Sequence, residues 1–315
     1  MSARIIEKTQ IYNKPAQKKE KAPIKKTNAS KKEKVYNFYH CGYLEVREWL
    51  KETDIILVPI GSCEQHGRHL PVCTDGVATE IPVQRAARLA NVPHTPLIWF
   101  GYSPQHLHGA GIGSGTITLR AEIYQNVLYD VARCLIHNGF NKIVFATGHT
   151  SNMKVVDPAL RAIRYETGAF VCVFRNDAEA APAMVPDIIE NPPEETPGWH
   201  GSEIETSEVL AFNENLVHLE RTGKDFTHAP KWLGKKFNKV NGSPYVIYNG
   251  INVAWVPMDH QEYSDTGLIG NPFRASAAKG NLIFQRKAEI LAAFLEELKK
   301  VKVTVKNRSY DRRTF

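Results

Sequence analysis

The chain has no apolar run approaching the roughly 18 to 20 residues that a membrane helix needs, so nothing in its 315 residues reads as a span. Its amino terminus lacks the apolar core of a secretory leader. Cysteine is scarce and follows no pairing pattern. The five (Cys41, Cys63, Cys73, Cys134, Cys172) are odd in number and unclustered, which argues against a disulfide framework and fits a reducing, cytoplasmic setting. Cys63 and Cys73 read as small buried residues rather than ligands. No internal repeat is present. A hydrophobic fraction of 43% with 23% charged residues is that of an ordinary globular protein.

A net positive charge is missing from most of the chain despite its overall +7. Residues 1–35 hold eleven Lys or Arg against three Glu, a surplus of eight that leaves the remainder one unit negative. The basicity therefore belongs to a flexible or oligomer-contacting arm, residues 1–35, and not to a nucleic-acid-binding face. Residues 36–315 are expected to form the folded domain.

That domain alternates strands and helices. Val46–Leu50 reads as a short helix and Ile55–Ile60 as a buried strand. Gly76–Ala90 is a helix with Val77, Ile81, Ala86 and Leu89 near one face, and Pro93–Phe100 a strand. In Ala121–His137, Ile123, Val127, Leu128, Val131 and Leu135 recur at helical spacing, and Asn138-Gly139 ends the helix. Lys142–Ala146 is the next strand, Met153–Thr167 a helix, Ala169–Phe174 a strand. This alternation predicts a mainly parallel sheet with ligands gathered past the carboxyl ends of its strands. Beyond Asn176 five prolines mark a long irregular connection, as in a lid. A helix through about Asn213, a loop-like Lys224–Tyr248, a strand at Val253–Val256, a helix starting near Ala275 and an amphipathic closing helix Lys287–Lys300 follow.

Two segments carry the chemistry: Gly61-Ser-Cys-Glu-Gln-His-Gly-Arg-His-Leu-Pro-Val-Cys-Thr-Asp75 and Thr147-Gly-His-Thr-Ser-Asn152. They place Glu64, His66, Asp75 and His149 on loops just past two strand ends. Glu64 and His66, two apart in extended chain, project to one side. A single Glu or His near a strand end is usually a cap or surface group. Several of them after two strands of one sheet form a mixed oxygen and nitrogen ligand set for zinc, manganese or iron(II). An aspartate there can bridge two ions about 3.5–4 Å apart. His69 reads as a structural histidine beside the ligands. Tyr102, His106, His108 and Arg120 are candidates for contact with a polar substrate.

The first segment resembles the signature of the creatininase (creatinine amidohydrolase) family. The resemblance continues through most of residues 40–285, in His106, Gly115-Thr-Ile-Thr-Leu119, Gly148-His149 with Asn152, His200 with Glu203 and Glu205-Thr-Ser207, and Gly267-x-Ile-Gly270. It implies a three-layer α/β sandwich with a central, mainly parallel sheet, a homo-oligomer (often a hexamer) and a dinuclear divalent-metal centre. Carried over, Glu64 and His149 hold one ion, His66 the other and Asp75 both. His200 becomes the catalytic histidine and Glu205 a catalytic and ligating carboxylate. Tyr102, His106, Ser151, Asn152 and Trp199 are expected to bind substrate. Creatinine-hydrolysing members carry a glutamate where this chain has Ser151. Either Glu205 completes the second metal site or only one ion binds tightly, and the departure points away from creatinine. The implied activity is attack of metal-activated water on the carbonyl of a small polar cyclic amide. The alternatives are hydrolysis of a carbon–carbon bond in a cyclic polyol diketone such as a keto-inositol, and a non-catalytic metal-binding assembly protein.

Overall fold

The computed structural model describes residues 33–107, 113–195, 198–238, 245–311 and 314. Most of the basic arm, and His108, lie outside the described residues. The α-helices are α1 (Tyr43–Glu52), α2 (Thr74–Leu89), α3 (Ala121–Asn138), α4 (Asp157–Thr167), the single turn α5 (Ala181–Met184), α6 (Glu203–Asn213) and α7 (Ala277–Lys300).

Three strands, Ile55–Ile60 (β1), Lys142–Thr147 (β2) and Phe170–Arg175 (β3), pair in parallel in the order β1-β2-β3. β1 and β2 are buried along their whole length. A parallel strand covered on both faces needs apolar side chains at successive positions, which is why these segments read as near-continuous apolar runs. Successive side chains still leave opposite faces. Ile55, Leu57, Val144 and Ala146 pack with Val83, Ala86 and Ala87 of α2 and Leu291 and Leu295 of α7. Ile56, Val58, Ile60, Ile143 and Phe145 pack with Tyr124, Leu128 and Leu135 of α3 and Ile163 of α4. Helices therefore cover both faces of one sheet, the expected three-layer α/β sandwich.

Several boundaries differ from the sequence reading. Pro93–Phe100 forms only isolated bridges beside β1, at His94 and Ile98, because Pro93 and Pro96 have no N–H to give a ladder. Helix α2 starts at Thr74, whose hydroxyl donates to Pro71 O at 2.7 Å, so Asp75 belongs to its first turn and not to a loop. The helix expected from Met153 is a 3-10 turn, Thr150–Lys154, followed by α4 with Pro158 in its first turn. The two expected C-terminal helices are one, α7. Its Gly280 lies so close to α6 that a Cβ would collide with the backbone at Ser207. Residues 237–255, expected to be loop-like through Tyr248, hold a small antiparallel sheet of β4 (Phe237–Asn238), β5 (Tyr245–Tyr248) and β6 (Ile251–Trp255). Among the described residues no helix is long and apolar enough to cross a membrane.

Candidate active site

Parallel pairing brings the carboxyl ends of β1 and β2 to one edge, and the polar motifs follow directly. Glu64 and His66 come from the loop after β1, and His149 from the turn after β2. Asp75 enters from the first turn of α2 and Glu205 from the first turn of α6, helix positions that favour a carboxylate. All five are buried, with 0 to 4% of their surface exposed.

Their groups converge. His149 Nε2 lies 3.3 Å from Glu64 Oε2 and its Nδ1 3.1 Å from Asp75 Oδ2. His66 Nε2 lies 3.4 Å from Asp75 Oδ1 and 3.6 Å from Glu205 Oε2. Two triads, Glu64–Asp75–His149 and His66–Asp75–Glu205, each have ligand atoms within 4.8 Å of one another, and Asp75 is common to both. Supporting bonds aim these side chains. The Ser62 hydroxyl donates to Glu64 Oε2 at 2.9 Å. The 3.1 Å contact between His66 Nδ1 and Glu64 O makes Nδ1 a donor and turns Nε2 towards Asp75. The Gly201 N–H donates to Glu205 Oε2 at 2.6 Å.

The electrostatics are those of a site built for cations. Burial pushes the Glu64 and Glu205 carboxyls well above the usual range. Burial also opposes ionisation of Asp75, but His66 and His149 outweigh it and hold its carboxyl below that range. Burial opposes the charged form of His66 and His149 as well. Asp75 and Glu205 raise His66 to about 10, and Glu64 and Asp75 raise His149 to about 9. Among the described residues no Lys or Arg forms an ion pair with any of the three acids. His66 Nε2 and Asp75 Oδ2 are buried with no hydrogen-bond partner. Three desolvated acids whose near partners are imidazoles alone are costly, and ligand atoms that meet without well-formed hydrogen bonds fit divalent ions.

Around this centre lie further imidazoles. His200 Nε2 lies 2.8 Å from Gln65 O and its Nδ1 3.9 Å from Glu64 Oε1. Its ring stacks between those of His66 and His106, with centroids 4.1 and 4.5 Å away. Burial and then His66 push its pKa well below the ordinary value, so it stands neutral. His106 Nε2 lies 3.3 Å from Glu64 Oε1. His260, fully buried, puts its Nδ1 2.8 Å from His106 Nδ1. The Gln65 amide nitrogen reaches both rings, at 3.1 and 3.0 Å. Gly267, at φ +77°, leaves room for that amide, since a Cβ there would meet Gln65 Oε1.

His106, Ser151, Trp199 and His200 line the cavity with the acids. Tyr102 and Asn152, expected at the substrate, do not line it. The Tyr102 ring packs against the core, and its carbonyl lies 3.1 Å from His149 Nε2. The Asn152 amide is occupied in joining three backbone segments, accepting from Tyr102 N and donating to Gly61 O and Thr147 Oγ1. Arg120 pairs with Glu122 at 2.8 Å on the surface. His69 is buried 3.0 Å from Thr206 Oγ1, outside both triads. His260, Gln105 and Lys154, which the sequence reading passed over, also line the cavity. A capping box between Asp259 and Glu262 shapes the turn that carries His260, but nothing local marks that residue as part of the site.

A polar cavity at the carboxyl edge of a parallel sheet, with acids and imidazoles meeting in it, is the site of an enzyme, and comparison with known proteins makes it a hydrolase. The family model described as creatinine amidohydrolase matches residues 40–295. The chain belongs to the creatininase family. It is 26% identical over 258 residues to a 3-dehydro-scyllo-inosose hydrolase of Thermotoga maritima, covering 81% of this chain and 79% of that one. To the creatinine amidohydrolase of Pseudomonas putida it is 26% identical over 254 residues, covering 77% and 89%. A solved creatininase variant of the zinc–zinc type superposes with TM-score 0.65 at 25% identity, over 85% of this chain and all of that one.

Proposed function

We propose that this chain is a divalent-metal-dependent hydrolase acting on the carbonyl of a small polar compound of the cyclic-amide kind. The observation that supports this most is the pair of buried triads sharing Asp75, with His66 Nε2 and Asp75 Oδ2 left without hydrogen bonds. Glu64, Asp75 and His149 would hold one ion, and His66, Asp75 and Glu205 the other. When bound, such ions supply an acidic water at neutral pH and polarise a carbonyl.

The chain's own residues do the rest. With Nε2–H directed at Gln65 O, His200 keeps the Nδ1 lone pair turned towards Glu64 and the cavity. A neutral imidazole so placed takes a proton from the attacking water and returns it to the leaving atom. Burial keeps His200 unprotonated at neutral pH. Glu205, held by Gly201 N–H, is anchored as a ligand. Trp199 supplies a flat apolar surface for a ring, and Ser151 a hydroxyl, on the lining of the same cavity.

A second reading, hydrolysis of a carbon–carbon bond in a cyclic polyol diketone, is favoured by Ser151. A hydroxyl there, in place of an anionic ligand, leaves a polar wall suited to a hydroxylated ring. The test is a substrate panel of creatinine, other cyclic amides and a keto-inositol, with zinc, manganese and iron(II) supplied in turn. Turnover abolished by chelation, with little on creatinine, is expected. Creatinine hydrolysis with kcat/KM of about 10⁴ M⁻¹s⁻¹ or more would overturn the substrate reading. Selective opening of the diketone would favour the second.

A further inference from the structure

The cavity has a second wall, in which Gln105, Ser151 and Lys154 stand together. Ser151 Oγ accepts from Gln105 Nε2 at 2.6 Å and from Lys154 Nζ at 3.1 Å. A hydroxyl that accepts twice still has its own proton to donate, and no acceptor for that proton is found among the described residues. Lys154 has three N–H groups and is exposed at the mouth of the cavity. Among the described residues no carboxylate lies within ion-pair distance of it. Other lysines held against the body are neutralised: Lys142 by Asp54 at 3.0 Å, Lys279 by Glu203 at 2.7 Å and Lys287 by Glu208 at 2.7 Å. Glu179, in the same lining, pairs with Arg175 at 3.3 Å and acts on Lys154 only from beyond ion-pair distance. The wall therefore presents an ammonium with no carboxylate in contact, a hydroxyl proton and an amide N–H.

A ring amide or a neutral polyol calls for no such charge. An oxyanion does, since hydrogen bonds from a charged donor to a carboxylate are the strong ones. We propose that the Gln105–Ser151–Lys154 wall is a subsite for a carboxylate carried by the substrate beside its scissile carbonyl. The assignment rests on the hydrolase reading of the cavity and narrows its substrate class to carbonyl compounds that also carry an acid group.

Calorimetric titration of zinc-loaded protein tests it with two probes. One is 5-oxoproline, a cyclic amide bearing a carboxylate; the other is 2-pyrrolidinone, the same ring without it. The wild type is expected to bind the acid about ten-fold tighter, the size of one hydrogen bond to a charged group. The margin should shrink as salt is added. Lys154→Met should abolish the preference without changing zinc content or binding of the neutral ring, and Lys154→Arg should keep most of it. Equal affinity of the wild type for both probes, or no binding of the acid, overturns the proposal. So does a preference that persists in Lys154→Met, because the acid is then held by the metal. Binding needs no turnover, so a Lys154-dependent preference in a protein that hydrolyses nothing would sink the hydrolase reading and leave the subsite standing.

Discussion

Replacing Asp75 with alanine separates a shared ligand from a local one. Asp75 belongs to both triads, with Oδ1 towards His66 and Oδ2 towards His149. Its loss leaves each ion two protein ligands instead of three, and both ions should leave. Glu64→Ala strips only the first triad and should retain the ion at His66, Asp75 and Glu205. The thermodynamic size follows from linkage. Metal at a hundred times its dissociation constant stabilises the folded state by about 2.7 kcal/mol. At about 2–4 °C per kcal/mol for a domain of this length, that is a rise in Tm of about 5–10 °C. Elemental analysis and thermal unfolding, with and without chelator, read both quantities. Wild type should show two ions and the full rise, Glu64→Ala an intermediate state, Asp75→Ala neither. Unchanged metal content and an unchanged rise in Asp75→Ala would refute the bridging role.

His200→Ala should keep its metal and lose about 10² to 10⁴ in turnover; near wild-type turnover would make His200 structural. In metal-free protein, Glu64, Glu205, His66 and His149 all have folded pKa values above their ordinary ones. The folded state therefore holds protons the unfolded chain has released, and chelated protein should lose stability as pH rises from the ordinary carboxylate range through the His149 and His66 values of about 9 and 10. Asp75 acts oppositely, but only below the carboxylate range. Metal displaces those protons, so loaded protein should gain stability over the lower part of the same interval; a chelated Tm that climbs with pH contradicts this. Deleting residues 1–34 should leave metal content and turnover per site intact, and loss of catalysis in an intact oligomer would place the arm in an active site.

The sheet was legible because its physics is local. A strand buried on both faces must be apolar throughout, so β1 and β2 stand out as runs; half-buried β3 is apolar as far as Phe174, and helix α3 shows its spacing and its Asn138-Gly139 stop. Asp75 was singled out as a candidate ligand but assigned to a loop, because apolar spacing begins only at Val77 and Cys73, at the N-cap, makes no side-chain capping bond. The sequence reading began one helix near Ala275 and a second at Lys287 where α7 is continuous, and Gly280 within it lets α6 approach, a tertiary fact with no local trace. Asn249-Gly250, where both residues take positive φ, is a hairpin signal that the sequence reading did not use, so β5 was left in a loop-like segment. His260 could not have been chosen from sequence. It comes from far along the chain and joins the site only through contact with His106 and Gln65. Tyr102 and Asn152 lie in the expected motifs, yet one fills the core and the other ties backbone together, a distinction that only packing reveals.

The central claim is that Asp75 bridges two ions. Anomalous diffraction from crystals of zinc- or manganese-loaded protein tests it most directly. Two peaks are predicted, one among Glu64, Asp75 and His149 and one among His66, Asp75 and Glu205, each with a ligand oxygen from Asp75. Peaks at neither triad, or an ion held instead by His106, His200 and His260, would contradict the account.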